Sequence, residues 1–331
     1  MSDMNAWLKT AAGSHKPMPL LSFPGIRLIG ATVMELVNSG ELQAGCMKAI
    51  ANRFDALASV SLMDLSVEAE AFGSRVHYSS DEVPTVTGTL ITDEESLASL
   101  AIPDIGKART GECIKAIREA KSLITDRPVF AGTIGPYSLA GRMLDITEIM
   151  ILCYDDPDLV HAALEKATLF LIRYGEALRD AGADGVIMAE PAAGLLSPAL
   201  IAEFSTPYVK RVVDAVQTDG FIYVYHNCGN TIPLIGSILN TGAKVLHFGN
   251  SINLAEMLQL TPRSILVSGN VDPARQFRNG TPESVRETTL DLLSQCAKYD
   301  NFILSSGCDI PPASPMPNVE AFFSAAKDFY M

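Results

Sequence analysis

The sequence predicts an α/β protein, a single-domain (β/α)8 or TIM barrel, and three observations carry that prediction. Eight short apolar runs end in or just before Gly, Pro, Asn, Asp or Cys, as parallel strands covered on both faces do. From the third run onward, segments of helical period or length separate most of them. No Pro/Gly/Ser-rich linker divides the 331 residues, and no repeat appears beyond the β/α alternation. A doubly wound sheet is the runner-up; it would normally carry a Gly-rich turn after its first strand, and no GxGxxG or P-loop motif is present.

The elements follow in order. Residues 1–17 read as an N-terminal extension, and PLLSF (19–23) as the first strand. SVSLMDL (59–65) is the second. The long segment 66–127 reads as an insertion between strands two and three. It holds a hairpin-like stretch, RVHYSSDEVPTVTGTL, and a helix near GECIKAIREAKSL. PVFAGT (128–133) is the third strand. A helix then starts at Asp156-Pro157, with Asp156 as N-cap and Pro157 in its first turn, and stops at Gly182. GVIMAE (185–190), FIYVYHNC (221–228), VLHFGN (245–250), ILVSGN (265–270) and FILSSGC (302–308) complete the eight. Ser197-Pro198 and Thr281-Pro282-Glu283 open two further helices, and Asn318 is expected to cap the last.

Composition narrows the function. At 48% hydrophobic and 19% charged, the chain can bury a large core. Its net charge of −13 repels phosphate backbones and argues against nucleic acid as a partner. The N-terminus has no basic stretch followed by an apolar run. The stretch from Phe221 to Ala243 carries His226, Pro233 and several Asn and Gly, which a bilayer would not tolerate. A soluble cytoplasmic protein with no membrane partner is expected. The six cysteines, at 46, 113, 153, 228, 296 and 308, contain no CxxC; reduced thiols or a metal site are the reading, not a disulfide scaffold.

In this fold, chemistry gathers where strands end. Those ends offer Asp64 and Glu68, Thr133, Glu190, His226 and Cys228, Asn250, Asn270 and Asp272, then Cys308 and Asp309. His226-Asn227-Cys228 is the sharpest feature, because residues i and i+2 of a strand share a face. With Cys308 they make two soft sulfur ligands and one nitrogen, a set that suits Zn²⁺ with one position open. Glu190 is the candidate fourth ligand or catalytic base. The competing reading is packing: an HxC in an apolar strand and a cysteine at a strand end are common without metal. Asp64 is a candidate for substrate binding, or a buried carboxylate with a structural partner. Asn250 and Asn270 either touch the substrate or cap the following helices. His247 alternates with apolar neighbours and reads as a satisfied core histidine; His15, His77 and His161 read as surface residues. Cys46, Cys113, Cys153 and Cys296 fall in helical segments as small hydrophobes. Asp309, next to Cys308, is expected to point the other way.

At these residues the chain resembles the uroporphyrinogen decarboxylase superfamily, and within it the corrinoid-dependent methyltransferase branch that includes methylcobamide:coenzyme M methyltransferases. The resemblance rests on FDALASVSLMDLSVEAEAFG (54–73), AGTIGPYSLAGRM (131–143), GADGVIMAEPAAGLLSP (182–198), HNCGN (226–230), GN-D (269–272) and SSGCDIPPASPMPN (305–318), in that order. It implies zinc on His226, Cys228 and Cys308. It also implies methyl transfer between a small substrate (a methyl ether, a methylamine or a thiol such as coenzyme M) and the cobalt of a corrinoid, methylcobalamin-like, carried by a separate protein. Decarboxylases of the superfamily hold their polyanionic substrate with an Arg-rich loop after the first strand. Here that region reads SFPGIRLIGATVMEL, with Arg27 as its one basic residue. Two other readings stand beside the methyltransferase: a lyase of decarboxylase type, and a non-catalytic barrel that binds a corrinoid protein.

Overall fold

The computed structural model describes residues 3–331. Its centre is a parallel seven-stranded sheet. The strands are β1 (Ser59–Val60), β4 (Val129–Ile134), β5 (Gly185–Ala189), β6 (Ile222–Asn227), β7 (Val245–Phe248), β8 (Leu266–Val271) and β9 (Phe302–Ser306), adjacent in that order. The two strands between β1 and β4 in the chain, β2 (Arg75–His77) and β3 (Thr85–Thr87), pair antiparallel as a separate hairpin inside the segment expected to hold one. Helices lie between successive strands and cover the outer face of the large sheet, while the inner-face residues pack on one another; both faces are buried, which is why the strands read as continuous apolar runs.

Seven of the eight expected strands are present, and the first is not. Residues 19–23 form no strand, and the reason is chemical: Pro17 and Pro19 have no N–H for a ladder. The segment still ties both edges of the sheet. Leu57 N–H donates to the Pro17 carbonyl (2.9 Å), and Met18 N–H donates to the Leu304 carbonyl on β9 (2.8 Å). Leu20 N–H finds a side chain instead, the Ser306 hydroxyl (3.0 Å).

Alternation sorts the strand residues into two cores. Val60, Phe130, Ile187, Ile222, Val224, Val245, Leu266 and Ile303 form one cluster with Met18 and Leu20. The helix Met4–Ala11 joins that cluster through Met4 and Ala11, and the Trp7 ring lies 5.6 Å from Phe130. Alternate residues such as Val186, Met188, Tyr223 and Tyr225 pack outward against the helices.

Most expected helix caps are found. Asp156 accepts from Leu159 N–H (3.1 Å) and starts Pro157–Asp180; Gly182, at φ +102°, follows its end. Ser197 and Thr281 cap as expected. Asn318 does not. Pro317 lets the last helix begin at Met316, and the Asn318 amide instead donates to the carbonyls of Phe277 (3.0 Å) and Gly280 (2.9 Å). Cys46, Cys113, Cys153 and Cys296 all lie in helices.

One buried carboxylate of the helix layer gives a pH prediction. Glu68 accepts from Ile134 N–H (3.1 Å) with one oxygen; the other has no partner, and neither has the Gln43 amide beside it. Burial pushes the Glu68 carboxyl up from 4.5 to about 7. A carboxyl raised in the folded state contributes stability that is full below its unfolded value and is lost as pH rises through the folded one. Glu68→Gln keeps the acceptor and removes the titration. Between pH 5 and 8 the native protein should lose up to about 3 kcal/mol relative to the variant. Parallel thermal-melting curves across that range would rule this out.

Candidate metal centre

The site is built where β6, β7 and β9 end. Ile222, Val224 and His226 share one face of β6, and Val245 and His247 share the matching face of β7, so each histidine follows the alternation of its strand. Register pairs His226 with His247 directly. Cys228 lies just beyond the end of β6, and the following loops pass each other closely. A Cβ on Gly249 would sit 2.5 Å from the Cys228 Cα, and one on Gly194 would sit 2.3 Å from the Asn227 side-chain oxygen. Both positions therefore require glycine.

Cys308 reaches the same place by a different route. The side chains of Ile303 and Ser305 mark the inward parity of β9, and Cys308 is out of phase with it. The strand stops at Ser306, and the turn at Gly307, packed against Asn250, brings the thiol in. The result is a cluster in which His226, Cys228 and Cys308 each offer a ligand atom and all lie within 4.8 Å of one another. His226 Nε2 and Cys308 Sγ are 3.5 Å apart. A tetrahedral zinc with usual Zn–S and Zn–N bonds has an N···S edge of about 3.6 Å, so this donor set fits that ion. Contact with the Cys308 thiol and with His226 pushes the Cys228 thiol down, and the same contact pushes Cys308 up: the pair favours one thiolate and one thiol.

A chain of bonds holds the His226 ring from behind. Its Nδ1 is 2.8 Å from His247 Nδ1, and His247 Nε2 is 2.9 Å from the Ser305 hydroxyl. That hydroxyl donates to the Met18 carbonyl (2.7 Å). Burial, with His226 beside it, pushes His247 well below the usual histidine range, so it is neutral. His247 is thus a satisfied core histidine, as its sequence surroundings suggest. Its partner is His226, which those surroundings did not reveal. The signal was present: in-register neighbouring strands with histidines at matching inward positions must stack them.

Glu190 follows β5 and is fully buried. Its carboxylate accepts from the backbone N–H groups of Tyr137 (3.1 Å) and Ser138 (2.7 Å), at the start of the helix Pro136–Leu144, and from the Ser205 hydroxyl (3.0 Å). Burial raises its pKa against those bonds. The carboxylate is not one of the three clustered ligands; its donors commit it to a helix N-terminus. Asn227 ties this group to the loop that carries Cys228, donating to the Glu190 carbonyl (2.6 Å) and accepting from Gly229 N–H (2.8 Å).

The three polar candidates for substrate separate. Asp64 is buried and paired with Arg109, and it also accepts from Ser66 N–H (3.0 Å). Asn270 donates to the carbonyls of Gly249 (3.0 Å) and Ile252 (3.1 Å) and so fixes the loop after β7. Asn250 is exposed and donates to Asp272 (3.0 Å). Neither asparagine caps the following helix; Asn253 and Asp272 do that. Asp309 accepts from the Ser22 hydroxyl (3.2 Å).

The close loop crossing gives a second prediction. Gly249→Ala should push Cys228 out of the cluster and lower zinc affinity, with the fold retained. Competition with a coloured chelator reads this directly; affinity equal to the parent would show that the crossing has slack.

The comparisons cover the same strand ends. Among curated proteins, 27% identity over 270 residues links the chain to "Methylcobamide:CoM methyltransferase MtbA" of Methanosarcina mazei, covering 80% of this chain and 78% of that one. A uroporphyrinogen decarboxylase of Synechococcus sp. (strain CC9605) is 31% identical over 229 residues, 66% of this chain and 62% of that protein. Among solved structures, a methyltransferase from Methanosarcina mazei superposes over the whole of both chains with a TM-score of 0.88 at 23% identity, which is a likeness of fold. The profile described as "Uroporphyrinogen decarboxylase (URO-D)" matches residues 21–329. That span runs from the proline-flanked first segment through Cys308 to the last helix, and the chain belongs to the uroporphyrinogen decarboxylase family.

Proposed function

We propose that the protein is a zinc-dependent methyltransferase that moves a methyl group between a small substrate and the cobalt of a corrinoid carried by a partner protein. The observation that carries this reading is the N,S,S donor set of His226, Cys228 and Cys308, spaced for zinc. Three protein ligands leave one position for substrate, the layout of a catalytic rather than a structural site. Zinc held there would supply Lewis acidity to the substrate heteroatom, lowering the pKa of a thiol or polarising the oxygen or nitrogen of a methyl ether or methylamine. The methyltransferase relative supports the same direction.

The residues of the chain divide the remaining work. Cys228 and Cys308 lie close enough for one to ease ionisation of the other. Glu190 acts as a positioning residue: it ties the helix Pro136–Leu144 to β5, and through Asn227 to the loop that carries Cys228. Asn250, exposed beside Gly307, is the polar candidate left for a substrate contact, while Asp64 and Asn270 hold the loops. We read the sheet with segment 17–21 as a closed (β/α)8 barrel and a single domain over 1–331. In that reading 1–17 is an extension and 66–127 an insertion. Six free cysteines fit a reducing, cytoplasmic setting. No helix among the described residues is long and apolar enough to cross a membrane.

Decarboxylase relatives favour a lyase as the second reading. Against it, the loop after the first segment offers Arg27 alone, which donates to the Ala313 carbonyl (3.4 Å), and a polycarboxylate needs several cations. The deciding experiment incubates zinc-loaded protein with methylcobalamin and a small thiol, then with cob(I)alamin and methyl ethers or methylamines. Zinc-dependent change in the cobalt absorption supports the proposal. Conversion of uroporphyrinogen with no such change overturns it in favour of the lyase. Binding of a corrinoid protein without turnover, indifferent to His226 and Cys308, overturns it in favour of a binding-only barrel.

A further inference from the structure

We infer that Cys228 and Cys308 form an oxidation site, at which a small disulfide oxidant reversibly converts the two thiols to a Cys228–Cys308 disulfide. Three observations carry this. The two sulfurs lie within 4.8 Å of each other, against the ~2.05 Å of a disulfide bond. Turning one cysteine from one staggered rotamer to the next moves its sulfur by about 3 Å, a distance of the size to be closed. Neither residue is held in the sheet: β6 ends at Asn227 and β9 at Ser306, so a small backbone shift breaks no ladder bond. Both are partly exposed. The other four cysteines are placed differently. Cys46, Cys153 and Cys296 are buried within helices, and the Cys46 thiol already donates to the Ser22 carbonyl (3.4 Å). Cys113 is partly exposed as well, but it lies in a helix and lines an enclosed cavity with Gln43 and Tyr174.

The step balances as thiol–disulfide exchange. The sulfur of one cysteine attacks a sulfur of the oxidant and breaks its S–S bond. One half of the oxidant leaves as a thiol, carrying the proton displaced from the cysteine. The sulfur of the other cysteine then attacks the mixed disulfide. The Cys228–Cys308 bond forms, and the second half leaves as a thiol with the second proton. Two electrons pass from the pair to the oxidant. Having a partner within reach decides the outcome: a thiol oxidised alone stays capped or climbs toward sulfinic acid, whereas a paired one is resolved to a disulfide that a reductant reopens. The consequence for metal binding rests on the zinc reading above; the cross-link does not. A disulfide leaves no thiolate, so the oxidised cluster keeps His226 alone as a donor. Bound metal and the disulfide therefore exclude each other, and the site loads only while it is reduced.

The test uses the full-length protein, metal-free and zinc-loaded, incubated with excess oxidised glutathione. It is then alkylated under denaturing conditions and digested without reduction. In the metal-free protein, free thiols should fall from six to four. Mass spectrometry should find the Cys228 and Cys308 peptides joined, with the loss of two hydrogens. Dithiothreitol should restore all six thiols, and zinc uptake should vanish and return with them. With free zinc at about ten times its Kd, oxidation should slow about tenfold, because only the metal-free fraction reacts. Six thiols remaining overturns the inference. So does a glutathione cap that persists on Cys228 or Cys308, or a cross-link between other cysteines. The Cys228–Cys308 cross-link in a protein that takes up no zinc, or that takes it up without protection, upholds the oxidation site and overturns the zinc reading instead.

Discussion

Cys308→Ser is expected to leave a folded protein that holds no zinc and transfers no methyl group. The substitution is nearly isosteric, and Cys308 is half-buried on a loop past the end of β9, so stability should change by less than about 1 kcal/mol. The chemistry changes far more. A serine hydroxyl does not ionise near neutral pH, so the cluster keeps one nitrogen and one sulfur, too few to hold zinc against buffer. Losing a direct ligand should exceed the ~10–100-fold loss that follows removal of an outer partner. Elemental analysis on protein purified without a metal-affinity tag gives the metal content, and the corrinoid assay gives the rate. About one zinc per chain in the parent and none in the variant is the result expected from one catalytic site. Stoichiometric zinc in the variant would remove Cys308 from the ligand set.

Arg109→Met is expected to be the most destabilising single change outside the core. The Arg109 guanidinium is buried, pairs with Asp64, and donates to Glu70 (2.7 Å) and to the Ser66 hydroxyl (2.8 Å). It also lies 5.0 Å from the centre of the Tyr78 ring. Methionine fills much of the same volume and leaves Asp64 buried with only Ser66 for company. Breaking a buried pair in this way costs about 3–5 kcal/mol, because the orphaned charge remains. Arg109→Met with Asp64→Asn removes that charge too, and should recover part of the loss. Denaturant unfolding of the two variants checks both statements. A single-variant loss below about 1 kcal/mol would place this cluster with ordinary surface pairs.

Much of this molecule could be read before it was seen, and the failures share a cause. Strand runs and proline-led helix starts are local signals, and they located seven strands and most caps. Pro17 and Pro19 are local signals too, and they argue against a strand where the apolar residues of 19–23 argue for one. Cys308 stands out in the sequence as a strand-end residue, but its direction depends on where β9 stops, which the sequence does not mark. Asp64 needed a partner, and that partner is 45 residues away, beyond any periodicity. Glu190 stands at a strand end, as a catalytic acid would. Only the packing of the helix Pro136–Leu144 shows that its carboxylate faces backbone donors. Alternation reports which face a side chain takes; it does not report what waits there.

The proline-flanked segment has a consequence for how the protein is made. Met18 carries the carbonyl that ends the chain of bonds behind His226, and Ser305, which contacts it, is 287 residues later in the chain. Leu20 and Ser306 are separated by 286. A polypeptide emerging from the ribosome displays His226 and Cys228 well before Cys308 exists. The cluster itself spans 82 residues, whereas the support behind His226 is complete only when the Met18 segment reaches Ser305, a slow contact to form because so long a loop must close. On the zinc reading proposed above, metal capture waits until β9 has docked on β8 and delivered Cys308. On that reading, a chain that has not yet placed Cys308 offers zinc two of the three ligands, and loading becomes a readout of how far folding has gone.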